Sequence, residues 1–399
     1  MYLLYPYFTN DGSVGLFSPE ADDIYHSTYG ALTEAYEKFI LPANFLDYFK
    51  EKSEIKILDI CYGIGYNTKS FLDYFLKNIY TDKIDTNNNK YIDKSYTNNK
   101  KYKIFVHAVD YDKILSNLSP FFLANKINIK NNKLNFENEK IEKMLSLQKR
   151  ENYKLKKEVS IILLEKLKNE INKDAEYILS LKNYRPFFDK RMIALYKFLK
   201  YEGINNTHLS GIINFLHNIY YNHISNSYKN AMKALNLIDF DFKLTNDDAR
   251  RVVLSDDNIY NYIFLDAFTP AKCPCLWTLE FFKLLYNHLD SEGMVLTYSN
   301  SAAIRNAFVN AGFYVGKIFS ETAQKFTGTV AVKNKSLIKN ELSEFDLGLM
   351  KSKAGIFYRD ENLNALNEAI INSHSKDVES STLVSSSKFI KNFRRKNDI

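Results

Sequence analysis

The chain has 399 residues, of which 45% are hydrophobic, and a formal net charge of +7 at pH 7. This length allows one large domain or two ordinary ones with a sizeable core. The opening residues lack the features of a secretory signal, and no stretch approaches the roughly 20 apolar residues that span a bilayer. We therefore expect a cytoplasmic protein with no membrane partner.

The three cysteines, Cys61, Cys273 and Cys275, are too few for a disulfide framework. No histidines flank Cys273 and Cys275 at metal-ligand spacing. The sequence thus predicts no metal site.

The first regular elements are a strand, a turn and a helix. Residues 54–60 (EIKILDI) form an apolar run that stops at a turn containing Gly63 and Gly65, and residues 67–76 show helical apolar spacing. A polar tract at 81–101 has no apolar period and predicts a loop. Residues 102–110 (YKIFVHAVD) predict a second strand that ends in an acid.

A long segment after the second strand has an almost entirely helical pattern, which we interpret as an insertion at 112–235. Between Phe121 and Leu235 there are 21 Lys and Arg against 11 Asp and Glu, an excess of ten positive charges. Such a basic module suits an anionic macromolecule, although lysine-rich, solvated helix faces give the same composition.

Strand patterns return at 240–244, 262–266 and 294–298, with a helix predicted at 277–289. Two further strands, at 313–319 and 327–332, predict a final antiparallel hairpin. These elements predict an α/β fold of the class I (Rossmann-like) methyltransferase type, a mostly parallel doubly wound sheet ending in that hairpin. The expected organisation is an amino-terminal element at 1–50 packed on a catalytic domain at 51–111 and 236–365, the helical insertion at 112–235 and a mobile tail at 366–399.

Nucleotide-like cofactors bind where parallel strands end, and glycines let the backbone approach them closely. Gly63 and Gly65 stand at such a place, and Thr68 occupies the third position of the dinucleotide fingerprint. This spacing favours S-adenosylmethionine over NAD. Asp110, or Asp112 in its stead, is placed to accept from ribose hydroxyls, and Asp248 from an adenine amino group; a plain tight turn and helix caps are the alternatives.

The most specific segment is FLDAFTPAKCPCLWT, residues 264–278. Asp266 ends a strand and is followed by an aromatic residue and two prolines that stiffen the loop. A primary amine is mostly protonated near pH 7, and a carboxylate can hold and orient it or help to pass its proton to water. Asp266 is therefore the candidate catalytic residue, unless it only caps the next helix. Phe268 and Trp277 are candidates for packing on a base, and a core position is the alternative for Trp277.

With these residues in view, the chain resembles the family of methyltransferases that complete the 5-methylaminomethyl group of wobble (2-thio)uridine in bacterial tRNA. Four segments carry the resemblance, together with Tyr298, Ser299 and Arg305. They are residues 11–35, the glycine turn through Asn67, the loop from Asp266 to Thr278, and 354–360 (AGIFYRD). The resemblance covers the chain outside about 80–235 and the tail.

The resemblance implies S-adenosyl-L-methionine as cofactor and tRNA, at its anticodon region, as substrate. It implies that the donor is surrounded by Tyr25, Gly30, Glu34, Asp59, Gly63, Gly65, Asn67, Asp110 and Asp248. Asp266 would face the amine, and Phe268, Pro270, Trp277 and Tyr298 would contact the substrate. Many relatives are fused to a flavin-dependent oxidase, but nothing after Thr329 has its glycine fingerprint. We therefore expect a stand-alone methyltransferase without FAD or an obligate protein partner.

Two other functions fit parts of the pattern. An aminopropyltransferase has a similar sheet and an Asp that faces an amine, but it needs neither the basic insertion nor the amino-terminal element. A tRNA-binding protein without catalysis would not need Gly63, Gly65, Asp110 and Asp266 together. Candidate tRNA contacts are Lys149, Arg150, Lys154, Lys156, Lys157, Lys166 and Lys168 on the insertion and Arg394, Arg395 and Lys396 on the tail.

Overall fold

The computed structural model describes residues 5–8, 13–18, 23–25, 30–75, 78–79, 101–112, 115–116, 119 and 238–396. The chain divides into two units. The first comprises Met1–Tyr36, Gly63–Lys103 and Asp112–Phe240, and the second comprises Glu37–Tyr62, Ile104–Tyr111 and Asp241–Ile399. The loop predicted at 81–101 and the insertion predicted at 112–235 lie outside the described residues, except for 101, 112, 115, 116 and 119.

The amino-terminal part of the chain forms a small sheet and short helices. Strands β1 (Tyr5–Phe8), β2 (Val14–Ser18) and β3 (Asp23–Ile24) pair antiparallel in that order. Helix α1 (Ala31–Ala35), a π-helical turn (Tyr36–Ile40) and α2 (Phe45–Glu51) follow. The backbone N–H of Ala31 donates to Oγ of Ser13 at 3.0 Å, which fixes the start of α1 beside the small sheet.

A seven-stranded sheet carries the rest of the described chain. Its strands are β4 (Glu54–Ile60), β5 (Lys103–Val109), β6 (Asp239–Thr245), β7 (Tyr260–Leu265), β8 (Leu289–Thr297), β9 (Tyr314–Ser320) and β10 (Lys325–Val332). Their order is β6-β5-β4-β7-β8-β10-β9. β7 runs parallel to β4 and β8, whereas β10 runs antiparallel to β8 and β9. The predicted class I fold, including its final hairpin, is confirmed.

Within the ranges that the structure describes, seven further α-helices connect or follow these strands. They are α3 (Tyr66–Phe75), α4 (Ala249–Leu254), α5 (Leu279–His288), α6 (Ala302–Asn310), α7 (Glu344–Met350), α8 (Asn367–Ser380) and α9 (Ser386–Lys396). None of the helices in the described ranges is both long and apolar enough to cross a bilayer.

The core lies where α5 and α6 pack beside the sheet. Phe282 of α5 and Phe308 of α6 stack with ring centroids 3.8 Å apart, and both are fully buried. Burial of each such side chain contributes about 2 to 3 kcal/mol relative to exposure. The side chain of Thr278 caps α5 by accepting from the backbone N–H of Phe281, so the helix begins directly after the Asp266 loop.

The hairpin depends on a close approach of its backbone to the neighbouring strand. A Cβ on Gly328 would lie 2.7 Å from the carbonyl oxygen of Thr297 on β8. The register between β9 and β10 shifts at the same position, between Phe326 and Gly328. A glycine is therefore required there for β10 to pair on both sides.

The carboxyl-terminal segment, predicted as a mobile tail at 366–399, contains regular secondary structure. Residues 367–380 and 386–396 form helices α8 and α9. Phe389 and Phe393, four residues apart, place both rings on one face of α9, where they contact Phe345 of α7 at centroid distances of 5.8 and 5.2 Å. The serine-rich composition concealed this short apolar face.

Candidate active site

The backbone of the turn after β4 has positive φ angles, which most side chains disfavour. Cys61, Gly63 and Gly65 have φ angles of 62°, 55° and 83°. Glycine adopts this region without strain, but Cys61 pays about 1 to 2 kcal/mol for its Cβ. The turn leads into α3, where Asn67 and Lys69 are buried in the first turn.

Two acids of the second unit follow the strands that lie on either side of β4, namely β5 and β7. Asp110 follows β5, and its N–H donates to the carbonyl of Thr245 at 3.1 Å. Asp266 follows β7, and its N–H donates to the carbonyl of Ile60 at 3.2 Å. The backbone ladder thus fixes the places from which both carboxyl groups project. Asp110 is 7% exposed and Asp266 is half-buried.

The pKa of the Cys61 thiol depends on burial and on these acids. Burial first, and then the negative charges of Asp110 and Asp266, raise the pKa of the Cys61 thiol well above its usual value. The charge of Asp59, which is fully buried in β4, adds to the same effect. The three carboxyl groups are therefore close enough to the end of β4 to act on Cys61. Such a set of acceptors suits ligand hydroxyl and amino groups.

Asp248 occupies the first position of α4 as its cap. Its Oδ1 accepts from the backbone N–H of Arg250 at 2.9 Å, and its Oδ2 accepts from Nη2 of Arg250 at 2.6 Å. Burial opposes ionisation, but the hydrogen bonds and the charge of Arg250 hold the pKa of Asp248 below its usual value. The helix-cap alternative is therefore correct for Asp248. An adenine contact of Asp248 remains a prediction.

Arg250 is a residue that the sequence interpretation missed. Its Nη1 donates to Oδ2 of Asp360 at 2.6 Å and to the carbonyl of Ala365 at 2.9 Å, and the residue is 7% exposed. Arg250 thereby joins Asp248 to the 354–360 segment. An arginine next to two acids in a helical stretch gives no sequence signal of this burial, because the same pattern is common on solvated helices.

Hydrogen bonds from two aromatic side chains hold the backbone of the loop after Asp266. Nε1 of Trp277 donates to the carbonyl of Phe268 at 2.8 Å, and the hydroxyl of Tyr298 donates to the carbonyl of Ala267 at 2.8 Å. The Sγ atoms of Cys273 and Cys275 lie 3.7 Å apart as free thiols. These bonds hold the backbone next to Asp266 in one conformation.

Burial corrects one substrate contact. Trp277 is 0% exposed and packs edge-on against Phe282 and Tyr298. No base can stack on a ring that the core encloses, so the prediction of Trp277 as a stacking platform is wrong. Phe268 and Pro270 are half-buried and remain candidates.

The first unit holds the amino-terminal candidates. The hydroxyl of Tyr25 donates to Oδ2 of Asp112 at 3.4 Å, and Oδ1 of Asp112 accepts from the N–H of Leu115 at 2.9 Å. Gly30, with a φ of 149°, precedes α1, and its carbonyl accepts from the N–H of Glu34 at 2.9 Å. Asp112 is thus a partner of Tyr25, whereas Asp110 is the acid at the strand end.

Comparisons with known proteins agree with this architecture. Residues 210–334 match the model of a family of S-adenosyl-L-methionine-dependent methyltransferases. An uncharacterized protein from Methanocaldococcus jannaschii is 33% identical over 126 residues, which cover 31% of this chain and 35% of that protein. The chain thus spans about a third of the length of this relative.

A solved structure matches over more of the chain. The crystal structure of MnmC2 from Aquifex aeolicus aligns with a TM-score of 0.55 and 19% identity, and the match covers 95% of this chain and 86% of that one. By its strand order and these matches, the chain has the class I methyltransferase fold. Residues 210–334 are similar to the S-adenosyl-L-methionine-dependent methyltransferase family, so the resemblance is confirmed at the level of this match.

Proposed function

We propose that this chain methylates the primary amine of a 5-aminomethyl group on wobble (2-thio)uridine in tRNA, with S-adenosyl-L-methionine as donor. The observation that carries the proposal is the position of Asp266. It follows β7, with its backbone N–H bonded to Ile60 at the end of β4, and it begins a loop whose backbone is held by Trp277 and Tyr298. The four resembling segments support the choice of an aminomethyl uridine.

The strand ends of the second unit fit a nucleoside-like donor. Asp110 is suited to accept from ribose hydroxyls, and Asp248 or the neighbouring Asp247 is suited to accept from an adenine amino group. Asp59, fully buried in β4, remains a predicted donor contact. When bound, the donor supplies an electrophilic methyl group on a sulfonium. Tyr25, Gly30, Glu34, Gly63, Gly65 and Asn67 remain predicted contacts.

Asp266 acts on the amine. An alkylamine such as that of Lys has a pKa of about 10.4, so most of the substrate arrives as ammonium. The carboxylate binds the ammonium, and water takes its proton. The neutral amine, held by Asp266, would then be free to accept the methyl group that the bound donor would supply. Correct placement of the two reactants can lower the barrier by about 7 to 11 kcal/mol.

The test is methyl transfer by wild-type protein and by Asp266→Asn. The acceptor is bulk tRNA from a strain that lacks the wobble-uridine methyltransferase, with putrescine as a parallel acceptor and nucleosides resolved by mass spectrometry. We expect one methyl gained on the aminomethyl uridine alone. Asp266→Asn should lower the rate by about 100-fold or more, since general acid-base groups contribute on that order.

Asp257→Asn is the matched control, because Asp257 is an exposed acid outside the site. It should transfer at the wild-type rate, and donor affinity by calorimetry should be unchanged in both variants. If donor binding is lost together with activity in Asp266→Asn, Asp266 has a structural role and the mechanism is wrong. Transfer to putrescine without transfer to tRNA would refute the substrate assignment.

A further inference from the structure

Helix α9 has a basic face that no described contact explains. Helical geometry places Lys388, Lys391, Arg394 and Arg395 within about a third of the helix circumference, opposite Phe389 and Phe393. All four side chains are exposed, and the helix contains no acid. In the described part of the chain none of the four forms an ion pair. We call these four residues the α9 basic face.

The helix macrodipole accounts for only part of this charge. Cations in the last turn of a helix are stabilising, which gives Arg394 and Arg395 a structural role. Lys388 lies in the first turn, where the dipole disfavours a cation. Asp346 of α7 does not neutralise the face either, because it is held by Arg305 at 2.9 Å and Lys317 at 2.9 Å.

The opposite face anchors α9 firmly to α7. The rings of Phe389 and Phe393 pack on Phe345, and a Cβ on Gly348 would collide with the ring of Phe389. Glycine at 348 therefore lets the two helices approach closely. Anchoring fixes the direction in which the basic face points, whereas an unstructured basic tail would not present its charges in one row.

Helix α8 connects this anchored helix to the Asp266 loop within the same unit. The side chain of Asn367, at the start of α8, contacts the loop backbone at Cys275 N (3.4 Å) and Lys272 O (3.3 Å). His374 stacks on Tyr358 at a centroid distance of 4.1 Å. Since α8 has 14 residues, its length is about 21 Å. The basic face is thus held on the same rigid support as the catalytic candidate.

We propose that the α9 basic face binds the phosphate backbone of the RNA whose base reaches Asp266. This inference rests on the proposed function. An exposed row of four cations, about 10 Å long, matches successive phosphates of a nucleic-acid strand and makes no base-specific contact. The face therefore sets affinity and placement of the RNA, and not the chemistry at the amine.

The experiment compares three full-length variants. The first replaces Lys388, Lys391, Arg394 and Arg395 by Gln. The second exchanges Lys and Arg at the same four positions and so keeps the charge. The matched control replaces four exposed lysines elsewhere by Gln, namely Lys52, Lys283, Lys325 and Lys339. Binding of unmodified tRNA is measured by fluorescence anisotropy from low to high salt. Binding to vesicles with and without phosphatidylglycerol is the second measurement. Methyl transfer to tRNA gives KM and kcat.

We expect the Gln variant of α9 to bind tRNA about tenfold or more weakly than the control near physiological salt. Its slope of log affinity against log salt should be shallower by about 3, since each phosphate contact contributes roughly 0.7 to 0.9. KM for tRNA should rise in proportion while kcat at saturating tRNA is unchanged. The charge-keeping variant should bind tRNA as the wild type does at both low and high salt, because phosphate contacts depend on the positive charge.

Equal tRNA binding by the Gln variant and the control would overturn the inference. So would a loss confined to phosphatidylglycerol vesicles, which would assign the face to a membrane. Failure of the proposed function is a separate result. If wild-type protein methylates no tRNA, but the α9 Gln variant still loses RNA affinity relative to the control, the RNA-binding face stands and the substrate proposal falls.

Discussion

His107 shows that a catalytic-looking constellation can be purely structural. Its Nδ1 lies 3.1 Å from Oδ2 of Asp256 and 2.8 Å from the hydroxyl of Tyr260, and its Nε2 lies 2.9 Å from Oγ1 of Thr245. The pair resembles the base and orienting acid of a hydrolase. Yet His107 is 0% exposed, and no substrate can reach it. The network ties β5 to β6 and β7.

The low pKa of Asp256 predicts how the free energy of unfolding depends on pH. Burial raises its pKa, but hydrogen bonds from Tyr260, Asn258 and His107 outweigh burial and bring it to about 2. Because the folded pKa lies below the unfolded value, the stabilisation is present above about pH 5 and is lost as pH falls from about 4 towards 2. Its full size is about 2 kcal/mol.

We therefore expect Asp256→Asn to lower the free energy of unfolding by about 2 kcal/mol at pH 7 and by clearly less at pH 3. Urea unfolding at both pH values measures this difference. Asp257→Asn, at an exposed position, should change stability by less than about 0.5 kcal/mol. A deficit of Asp256→Asn that is independent of pH would show that its loss of stability comes from packing alone.

Helix α7 is the element on which the carboxyl-terminal helix α9 packs. Asp346 in its first turn completes a capping box with Ser343 and also pairs with Arg305 of α6 and Lys317 of β9. Its side chain is 16% exposed, and Arg305 is 4% exposed. Removal of its charge leaves a cation largely buried without its acid, which is costly.

Asp346→Asn should destabilise the protein by about 2 kcal/mol, less than for a fully buried pair because water reaches the site. Since α9 packs on α7, trypsin should cut at Lys388–Lys396 several-fold faster in this variant. Glu344→Gln, an exposed acid in the same helical turn, is the control and should cut at nearly the wild-type rate. Equal cutting in all three proteins would mean that α9 is held independently of Asp346.

The sequence was sufficient for elements whose pattern is local. The run at 54–60, its glycine turn and the final hairpin each have a periodicity or a turn residue that identifies them. Asp266 was found because it ends such a strand. Arg250, the buried Trp277 and helix α9 were missed or misread, because their roles depend on partners distant in sequence, such as Asp360, Phe282 and Phe345.

At the scale of the whole molecule, positive charge is concentrated in two segments of the sequence. One is α9, and the other is the segment between Phe121 and Leu235, which has an excess of ten cationic residues over acids. The remaining residues together carry a net negative charge, because these two segments have more positive charge than the +7 of the whole chain. An RNA of tRNA size has enough phosphates to engage both regions.

Salt dependence separates the two regions. We expect wild-type protein to lose tRNA affinity steeply as salt rises, and the α9 Gln variant to keep more than half of that slope, because the 121–235 segment still holds most of the cationic excess. A second set of variants, with Lys154, Lys156, Lys157 and Lys166 replaced by Gln, should reduce the slope by a similar amount, about 3. The two losses should add when the sets are combined, since they concern independent phosphates. If the α9 variant alone abolishes the salt dependence, the lysine-rich segment makes no phosphate contact and its charge serves only to solvate helices.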